Sequence, residues 1–453
     1  MRTFRSGEAR ELPGCRRLPS AVAKLTLTQA APILEHEARD ASAASRPCRL
    51  CGAPLERVFV DLGMSPLCES YVEPQAFDEM EPFYPLRVLV CEQCLLVQLG
   101  EYVTAERIFG DYAYFSSYSD SWLAHARAYV DHVSERFGLG PESYVVEAAS
   151  NDGYLLRYFV ERGVPVLGIE PARNVAEVAR RNGVKTMSVF LGAESAAEIL
   201  ARHRQADLVV GNNVFAHVPD LHDFTEGLAR LLAPGGVLTL EFPHLQRLVE
   251  QNQFDTIYHE HFSYFSFHTA NRALAAHGLE VFDVQELPSH GGSLRLFAQH
   301  AESGVHPETD RVRALREHEE RAGMTGLAYY ESFGPQVAET KRALLDFLIR
   351  ARRDGRSVVG YGAPGKGNTL LNYCGIRTDF LDYTVDRSPH KQGRFLPGTR
   401  IPIHDPARIA ETRPDYVLIL PWNLRDEIAA QLSYIREWGA RCVVPIPEVQ
   451  VLD

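Results

Sequence analysis

Residues 143–156 read SYVVEAASNDGYLL, and this stretch decides how the centre of the chain folds. A short apolar run ends in Glu147, and small or short side chains follow at alternate positions, at Ala149, Asn151 and Gly153. Small side chains leave room for the backbone to approach a bound ligand, as glycines do in dinucleotide-binding folds. Only Gly153 is a glycine, so the loop needs support from the segments that follow it.

Three later segments supply that support. Glu170 closes the next apolar run, LGIEP, where a carboxylate can accept hydrogen bonds from both hydroxyls of a ribose. A third run begins at Asp207 and ends in GNNVFAH, and residues 230–241, RLLAPGGVLTLE, place a Pro-Gly-Gly turn before a fourth run. This order is typical of class I S-adenosylmethionine (SAM)-dependent methyltransferases. It predicts seven cofactor-binding residues: Glu147, Ala149, Asn151, Asp152, Gly153, Glu170 and Asn213.

The remaining alternative for this region is an α/β domain that binds another nucleotide. A nicotinamide enzyme would need G-x-G-x-x-G at the first turn, and this loop lacks it. Strands alternate with helical stretches from about residue 142, which predicts a mostly parallel sheet covered on both faces. A second strand–loop–helix unit opens at RSVVGYGAPGKGNTLLN, after a long charged helical stretch over residues 315–353.

The predicted organisation has four parts. Residues 1–45 form a weakly ordered extension, 46–105 a zinc-binding domain, 106–310 the SAM-binding domain, and 311–453 a C-terminal Rossmann-like α/β domain that begins with a helical linker. The formal net charge of -12 and the lack of a basic run argue against a nucleic-acid partner. No stretch of about 18 apolar residues predicts a membrane span. We expect a cytoplasmic protein, as a monomer or a weak oligomer.

Four of the eight cysteines fall in two C-x-x-C pairs, Cys48/Cys51 and Cys91/Cys94. A two-residue gap lets both thiolates of a pair point at one ion, and two pairs complete the tetrahedron that zinc prefers. With all four positions filled by protein, no position stays open for catalysis, so the predicted zinc is structural. A redox C-x-x-C pair and plain core cysteines are the alternatives. The other four cysteines carry no pattern.

The segment DTIYHEHFSYFS places Tyr258, His259, Glu260 and His261 in a row, beyond the fourth strand and the helix after it. A histidine titrates near neutrality and can remove a proton from a carbon that a neighbouring carbonyl has acidified. His217 follows the third strand, and ligands of α/β sheets collect at the carboxyl ends of strands. We therefore expect all these residues at one cleft. Metal binding or a structural polar network is the alternative.

At these residues the chain resembles a specific family, the C-methyltransferases of nucleotide-linked deoxysugars, and the 3-C-methyltransferases in particular. The resemblance runs from about Pro47 to Asp453 and rests on the C-x-x-C pairs, EAASNDGYLL, YHEHFSYFS, HGGSLR and GYGAPGKGNTLLN in this order. It implies a zinc module, a methyltransferase domain and a C-terminal Rossmann-like domain that does not bind a dinucleotide. It also implies a thymidine-diphosphate 4-keto sugar as substrate, with catalytic residues Tyr258, Glu260, His261 and His217 and a substrate-binding Tyr112.

The implied reaction proceeds through an enolate. His261 is the expected base, with Glu260 beside it as the competing candidate, and Tyr258 and His217 would hydrogen-bond the sugar or the developing oxyanion. The methylated carbon is C3 or C5 of the sugar. O- or N-methylation of a small metabolite and a non-catalytic zinc scaffold are the alternative functions.

The second glycine loop, GYGAPGKGN, has two interpretations. Gly360, Gly362 and Gly365 fit the dinucleotide fingerprint, with Asp382 about twenty residues further on. Gly365-Lys366 nearly completes a P-loop, but Gly367 stands where Ser or Thr should hold magnesium. Amides at a helix start and a lysine suit a diphosphate equally well. The resemblance favours the diphosphate of a nucleotide sugar, with Lys366, Gly362, Gly365 and Asn368 as substrate-binding residues.

Overall fold

Three β-sheets organise residues 46–110 and 115–452, the parts of the chain that the computed structural model describes. Tyr112 and the predicted extension over residues 1–45 lie outside these described residues. The strands are β1 (Arg57–Ser65), β2 (Tyr84–Val90), β3 (Val97–Leu99), β4 (Val145–Ala148), β5 (Val166–Ile169), β6 (Thr186–Met187), β7 (Ala206–Asn212), β8 (Leu232–Pro243), β9 (Ser263–Tyr264), β10 (Leu279–Leu287), β11 (Ser293–His300), β12 (Val358–Tyr361), β13 (Thr384–Val385), β14 (Ile403–His404), β15 (Tyr416–Ile419), β16 (Arg441–Val444) and β17 (Gln450–Val451).

Helices connect and cover these strands. They are α1 (Ala105–Phe109), α2 (Asp120–Phe137), α3 (Leu156–Val160), α4 (Arg173–Arg181), α5 (Ala193–Leu200), α6 (Leu221–Leu231), α7 (Leu245–Glu250), α8 (Phe267–Ala275), α9 (Asp310–Arg321), α10 (Leu327–Glu331), α11 (Phe333–Arg353), α12 (Gly365–Cys374), α13 (Arg408–Thr412) and α14 (Arg425–Gln431). Within the described ranges, no helix has both the length and the apolar character needed to cross a membrane.

The central sheet has seven strands in the order β10-β11-β8-β7-β4-β5-β6. Strands β4 to β8 of this sheet are parallel, and β11 runs antiparallel to both of its neighbours. Every residue of β4 and β5 is buried, as continuous Val- and Leu-rich runs require in a sheet covered on both faces. The predicted parallel sheet is present, and the carboxyl ends of β4, β5 and β7 meet at one edge.

The N-terminal sheet is antiparallel, in the order β1-β2-β3-β9. The predicted strands near residues 58–62 and 85–91 are both present, and β1 extends further than the sequence indicates. Its last strand, β9, comes from the middle of the chain directly after the His261 segment, with Val97 opposite Tyr264. One sheet therefore joins the cysteine-bearing region to the predicted catalytic segment.

The C-terminal sheet has the order β14-β13-β12-β15-β16-β17 and is parallel except at β17. The loop GYGAPGKG connects β12 to α12, as the sequence predicts. A buried apolar cluster that contains Phe254, Phe333, Leu370 and Trp422 also takes side chains from strands of the N-terminal and C-terminal sheets and from α7, which follows the central strand β8. Residues 45–453 accordingly form one compact unit rather than three separable bodies.

Candidate active site

A cavity of about 550 Å³ lies where the loops that follow β4, β5 and β7 meet the 256–261 segment and the start of α12. It draws walls from all three sheet regions, since Cys68 of the N-terminal region and Lys366 of the C-terminal region both line it. The predicted site residues in its lining are Ala149, Asn151, Glu170, Asn213, His217, Tyr258, Glu260, His261, Gly365 and Lys366.

The loop after β4 has the backbone that its sequence pattern predicts. Ala149, Asn151 and Gly153 all take positive φ values, of 54°, 49° and 79°. Left-handed residues at alternate positions turn the chain sharply at the strand end. Of the three, Gly153 has no room for a side chain, because an added Cβ would lie 2.8 Å from Val184 Cγ2.

Glu170 ties this loop to the end of β5. Its carboxylate accepts hydrogen bonds from the Asn151 amide at 2.9 Å and from the Ala172 amide at 2.8 Å. Burial outweighs these two donors and raises the pKa of Glu170 to about 7. Each carboxylate oxygen keeps a second lone pair for a further donor, such as a ribose hydroxyl.

The residues near Glu170 fit the ribose and amino-acid ends of SAM. The Asn212 side chain lines the cavity, and its buried Nδ2 and Oδ1 have no partner among the described residues. Asn213, with φ of 52°, places another unpartnered Oδ1 in the same wall. Buried polar atoms that the protein does not satisfy indicate a polar ligand.

Three predicted cofactor residues lie outside the cavity lining. Glu147 is fully buried at the end of β4, and both its oxygens lack partners within the described ranges. Burial raises the pKa of Glu147 well above its usual range, and the neighbouring Glu170 and Asp152 raise it further. Asp152 Oδ2 instead accepts from the Ser117 amide at 3.1 Å, and Gly153 packs against Val184. These residues support the loop rather than face the cavity.

His261 lines the cavity with one of its ring nitrogens bonded to the backbone. Its Nδ1 lies 2.8 Å from the carbonyl oxygen of Thr256, so Nδ1–H donates there. This tautomer leaves the lone pair on Nε2. The ring contacts Tyr258, with centroids 4.1 Å apart, and His217, with centroids 4.7 Å apart. Burial holds the pKa of His261 well below its ordinary value, and the neighbouring His217 lowers it further.

The other members of the cluster separate into two groups. His217 hydrogen-bonds the backbone carbonyl of Glu260, and burial lowers its pKa to about 4. Burial raises the pKa of Tyr258 well above its usual range and keeps its hydroxyl protonated. His259 lies between Tyr258 and Glu260 in sequence, but its side chain turns away, and its Nε2 lies 3.3 Å from the Pro85 carbonyl oxygen. His259 thus belongs to the packing of the N-terminal sheet, because residues 258–261 form a turn, closed by the His261 amide donating to the Tyr258 carbonyl at 2.9 Å, that directs its side chain away from the cavity.

Sequence reasoning missed two residues in the cavity wall. Cys68, interpreted from sequence as an ordinary cysteine, places its Sγ 3.5 Å from Glu260 Oε1. His290, in the motif HGGSLR, also lines the cavity. The motif itself was the available signal for His290, whereas no local pattern marks Cys68, which reaches Glu260 across 192 residues of sequence.

The four predicted zinc ligands come together. The sulfurs of Cys48, Cys51, Cys91 and Cys94 lie within 4.8 Å of one another. A tetrahedral zinc with Zn–S distances of about 2.3 Å would separate its sulfurs by about 3.8 Å, which fits this cluster. Gln98 Nε2 donates to Cys48 Sγ at 3.1 Å, the outer hydrogen bond expected of a thiolate ligand.

The second glycine loop is filled by the protein itself. Gly362 has φ of 87°, and a Cβ there would lie 2.6 Å from Pro421 Cδ. Asp386 follows β13 and accepts from the Ala363 amide at 2.7 Å, while Asp382 pairs with Arg352 at the surface. A dinucleotide therefore finds neither an open glycine nor a free acid at this loop.

Only the start of α12 faces the cavity. Gly365 and Lys366 line it, and Lys366 Nζ lies 2.8 Å from Asn423 Oδ1 and 4.8 Å from the centre of the Trp422 ring. Burial lowers the pKa of Lys366. Asn368 lies outside the lining, since its Nδ2 donates to the Cys68 carbonyl at 2.6 Å.

Comparison with known proteins adds family information to this geometry. Three domain descriptions match the chain in order: a zinc binding domain over residues 48–109, a methyltransferase domain over 122–284, and a C-methyltransferase C-terminal domain over 288–447. The predicted fold class and the predicted SAM and zinc cofactors are confirmed by these matches and by the cysteine cluster.

Individual proteins similar to this chain include methyltransferases of several kinds. C-methyltransferase NovU of Streptomyces niveus is 38% identical over 406 residues, which are 90% of this chain and 96% of NovU. The ubiquinone biosynthesis O-methyltransferase of Chelativorans sp. (strain BNC1) is 27% identical over 124 residues, 26% of this chain and 48% of that protein. A solved structure, magnesium protoporphyrin IX methyltransferase of Synechocystis PCC 6803 with bound SAM, is 18% identical, covers 43% of this chain and 88% of its own, and gives a TM-score of 0.28. Since NovU matches along nearly its whole length, the chain belongs to the C-methyltransferase family.

Proposed function

We propose that the protein methylates a ring carbon next to the keto group of a thymidine-diphosphate 4-keto deoxysugar, with C3 favoured and C5 possible. The observation that carries this proposal is the orientation of His261. Its Nδ1–H is committed to the Thr256 carbonyl, which leaves Nε2 as an acceptor in a cavity that also holds Glu170. A base of this kind can remove the proton of a carbon acid, and the match to a C-methyltransferase favours carbon over oxygen or nitrogen as the methylated atom.

The depressed pKa of His261 suits the role. A histidine that stays neutral at pH 7 keeps its lone pair available without first losing a proton to solvent. In the proposed step, Nε2 takes the proton from the ring carbon, and the electron pair of the broken C–H bond moves to the carbonyl oxygen as an enolate. Bound beside Glu170 and Asn213, SAM would supply an electrophilic sulfonium methyl group for the enolate carbon and would leave as the neutral thioether that keeps the electron pair of the broken S–CH3 bond.

The remaining residues orient the sugar. Tyr258 keeps its proton and can donate to a sugar oxygen. Glu260, held beside Cys68, is the second candidate for the base, and His217 stands behind His261 in the same wall. Lys366 offers a cation for the diphosphate at the start of α12, the part of the second glycine loop that reaches the cavity. The four cysteine sulfurs fill the coordination of zinc, so the metal takes no part in the chemistry.

The decisive experiment changes His261 to Asn. Incubation with SAM and a thymidine-diphosphate 4-keto deoxysugar in deuterium oxide measures methyl transfer and exchange of the substrate proton separately. We expect both to fall, by roughly 10²–10⁴-fold, while SAM affinity is retained. His268→Asn, an exposed histidine on α8, is the matched control and should behave as wild type.

Two results would change the proposal. Exchange that persists in His261→Asn while transfer stops would move the base to Glu260. Full activity of the variant would refute the assignment of this site and reopen methylation of an oxygen as the reaction.

A further inference from the structure

His290 lies in the cavity wall and has no part in the mechanism above. It sits in the turn that joins β10 to β11 and takes a left-handed backbone, with φ of 55° and ψ of 19°. A non-glycine residue in this region costs roughly 1 kcal/mol or more, and such residues cluster at functional sites. Position 290 is a histidine, although a glycine, such as the Gly291 and Gly292 that follow it in the same turn, would adopt this conformation without cost.

The turn around His290 is fixed on several sides. Ser293 Oγ donates to the Ser289 carbonyl at 2.9 Å, Gln253 Nε2 donates to the Gly291 carbonyl at 2.7 Å, and the His244 amide donates to the Gly292 carbonyl at 3.0 Å. Strained backbone persists only where its surroundings determine it in this way. The position of the His290 ring is therefore set by the fold.

The ring is also held from the side. Trp122 meets it edge-on with centroids 5.1 Å apart and stacks on His125 at 4.8 Å. His125 in turn lies 3.0 Å from the carboxylate of Glu241, which is fully buried and receives a hydrogen bond from the Ser289 hydroxyl at 2.8 Å. The contacts from Glu241 through His125 to Trp122 hold the cavity wall beside His290 in place.

The charges around His290 keep it neutral. Burial lowers its pKa to about 4, and Lys366 lowers it further, while Glu241 acts in the opposite direction. His290 in turn lowers the pKa of both His217 and His261, so the three imidazoles and Lys366 share one region. A neutral imidazole presents one N–H donor, and a donor near the Lys366 cation faces a region that favours negative charge.

We propose that His290 is a further catalytic residue, whose ring N–H donates a hydrogen bond to the substrate carbonyl oxygen as that oxygen becomes the enolate. This inference rests on the proposed function, because only a carbon acid next to a carbonyl develops such an oxyanion. The donor acts where charge appears in the transition state, so it accelerates proton removal rather than substrate binding.

The test uses variants that suit the backbone. His290→Gly relieves the left-handed strain and removes the ring, and His290→Asn keeps a residue that tolerates this conformation together with a shorter amide donor. For His290→Gly we expect kcat and kcat/KM to fall together by roughly 10²–10³-fold, with KM and SAM affinity unchanged. Deuterium exchange of the substrate proton should slow by the same factor, and His290→Asn should recover part of the loss.

Arg413→Gly is the matched control. Arg413 is exposed, has φ of 47°, caps the end of α13 and does not line the cavity, so its change relieves similar strain without touching the site. It should keep wild-type kcat. Wild-type activity in His290→Gly, or a rise in KM alone, would overturn the assignment of His290 while leaving the proposed function intact. A wild-type enzyme that neither exchanges nor methylates the 4-keto sugar would overturn both proposals.

Discussion

Two loops of this molecule occupy the same place in their sheets and do opposite things. The loop after β4 has a single glycine, yet its residues Ala149 and Asn151 open onto the cavity. The loop after β12 matches the dinucleotide fingerprint far better. Here, however, Pro421 packs against Gly362, and the Asp386 carboxylate already accepts the hydrogen bond of the Ala363 amide. The number of glycines therefore does not decide which loop binds a cofactor.

What decides is the space and the free hydrogen-bonding capacity that remain once the surrounding chain has folded. Beside the first loop, Glu170 and Asn212 line the cavity, and the buried Nδ2 and Oδ1 of Asn212 find no partner in the described part of the chain. At the second loop Tyr71 and Lys391 both donate to the Ala363 carbonyl, at 2.6 Å and 2.8 Å. A glycine-rich turn whose polar groups are already paired has nothing left to offer a dinucleotide cofactor.

The largest effect expected from this contrast is on cofactor affinity. Glu170→Ala should raise the Kd of SAM roughly 100-fold, since about 3 kcal/mol of charge-assisted hydrogen bonding to the ribose is lost. Asp382→Ala, at the acid that the fingerprint spacing would assign to a ribose, is the control and should leave SAM affinity unchanged. Isothermal titration calorimetry measures both. Tight binding of NAD to the wild type that Asp382→Ala abolishes would break the comparison.

The second effect concerns stability. Asp386→Ala removes the acceptor of the Ala363 and Ser388 amides, which lie at 2.7 Å and 2.8 Å, and should lower the free energy of unfolding by about 1–3 kcal/mol. The Kd of SAM should not change, because this loop only supports the C-terminal sheet. Urea unfolding together with calorimetry checks both statements. A variant of normal stability with weakened SAM binding would show that the second loop reaches the cofactor after all.

The third prediction concerns Asp255. Its carboxylate accepts a hydrogen bond at 2.7 Å from Nε1 of Trp422, the residue after the Pro421 that fills the second loop. Burial raises the pKa of Asp255 to about 7, so the folded protein holds a proton there that the unfolded chain releases above about pH 4. This contribution to the free energy of unfolding is present at low pH and decreases as the pH rises through that window. Between pH 5 and 6 the decrease is about 1.4 kcal/mol.

Asp255→Asn should remove that dependence, because an amide keeps an acceptor for Trp422 and does not titrate. Urea unfolding of wild type and variant at pH 5 and pH 6 gives the difference directly. Equal pH dependence in the two proteins would place the ionised form of Asp255 in the folded state at both values.

The smallest effect is at the first loop itself. Ala149 pays for a left-handed backbone, and Ala149→Gly should raise the free energy of unfolding by about 1 kcal/mol or less. The adjacent Ala148→Gly, inside β4 and fully buried, should lower it by a similar amount, since glycine weakens a strand interior. Thermal or urea unfolding distinguishes the two. Destabilisation by both changes would indicate that the Ala149 side chain contributes packing that exceeds the strain.

Much of the fold could be predicted from the sequence because its main signals are local. Continuous Val- and Leu-rich runs mark β4, β5, β7 and β8, and each was placed correctly. The two C-x-x-C pairs likewise predict the zinc site, because the two-residue spacing within each pair is a local signal. The two-residue strand β9 has no such signal, since it exists only by pairing with β3 across more than 160 residues.

The candidate site divides in the same way. His217, Tyr258, Glu260 and His261 line the cavity as expected, because strand ends and a compact polar motif place them. Counting twenty residues from the second glycine loop selects Asp382, whereas the short β13 ends just before Asp386 and brings that acid to the loop. Spacing rules fail where strands are only two residues long. Cys68 could not be foreseen, because its neighbour Glu260 is brought close only by the folded chain.

One side chain gives the zinc module a consequence for how this protein could be recombined. Arg49 stands between two zinc cysteines, and its guanidinium donates to the carbonyl of Phe262, next to His261, and to that of Leu99. A chimera that took residues 46–105 from a relative would replace Arg49 and so change its contact with the native segment 258–264. The zinc module and residues 258–264 would therefore have to be exchanged together, although about 150 residues separate them in sequence.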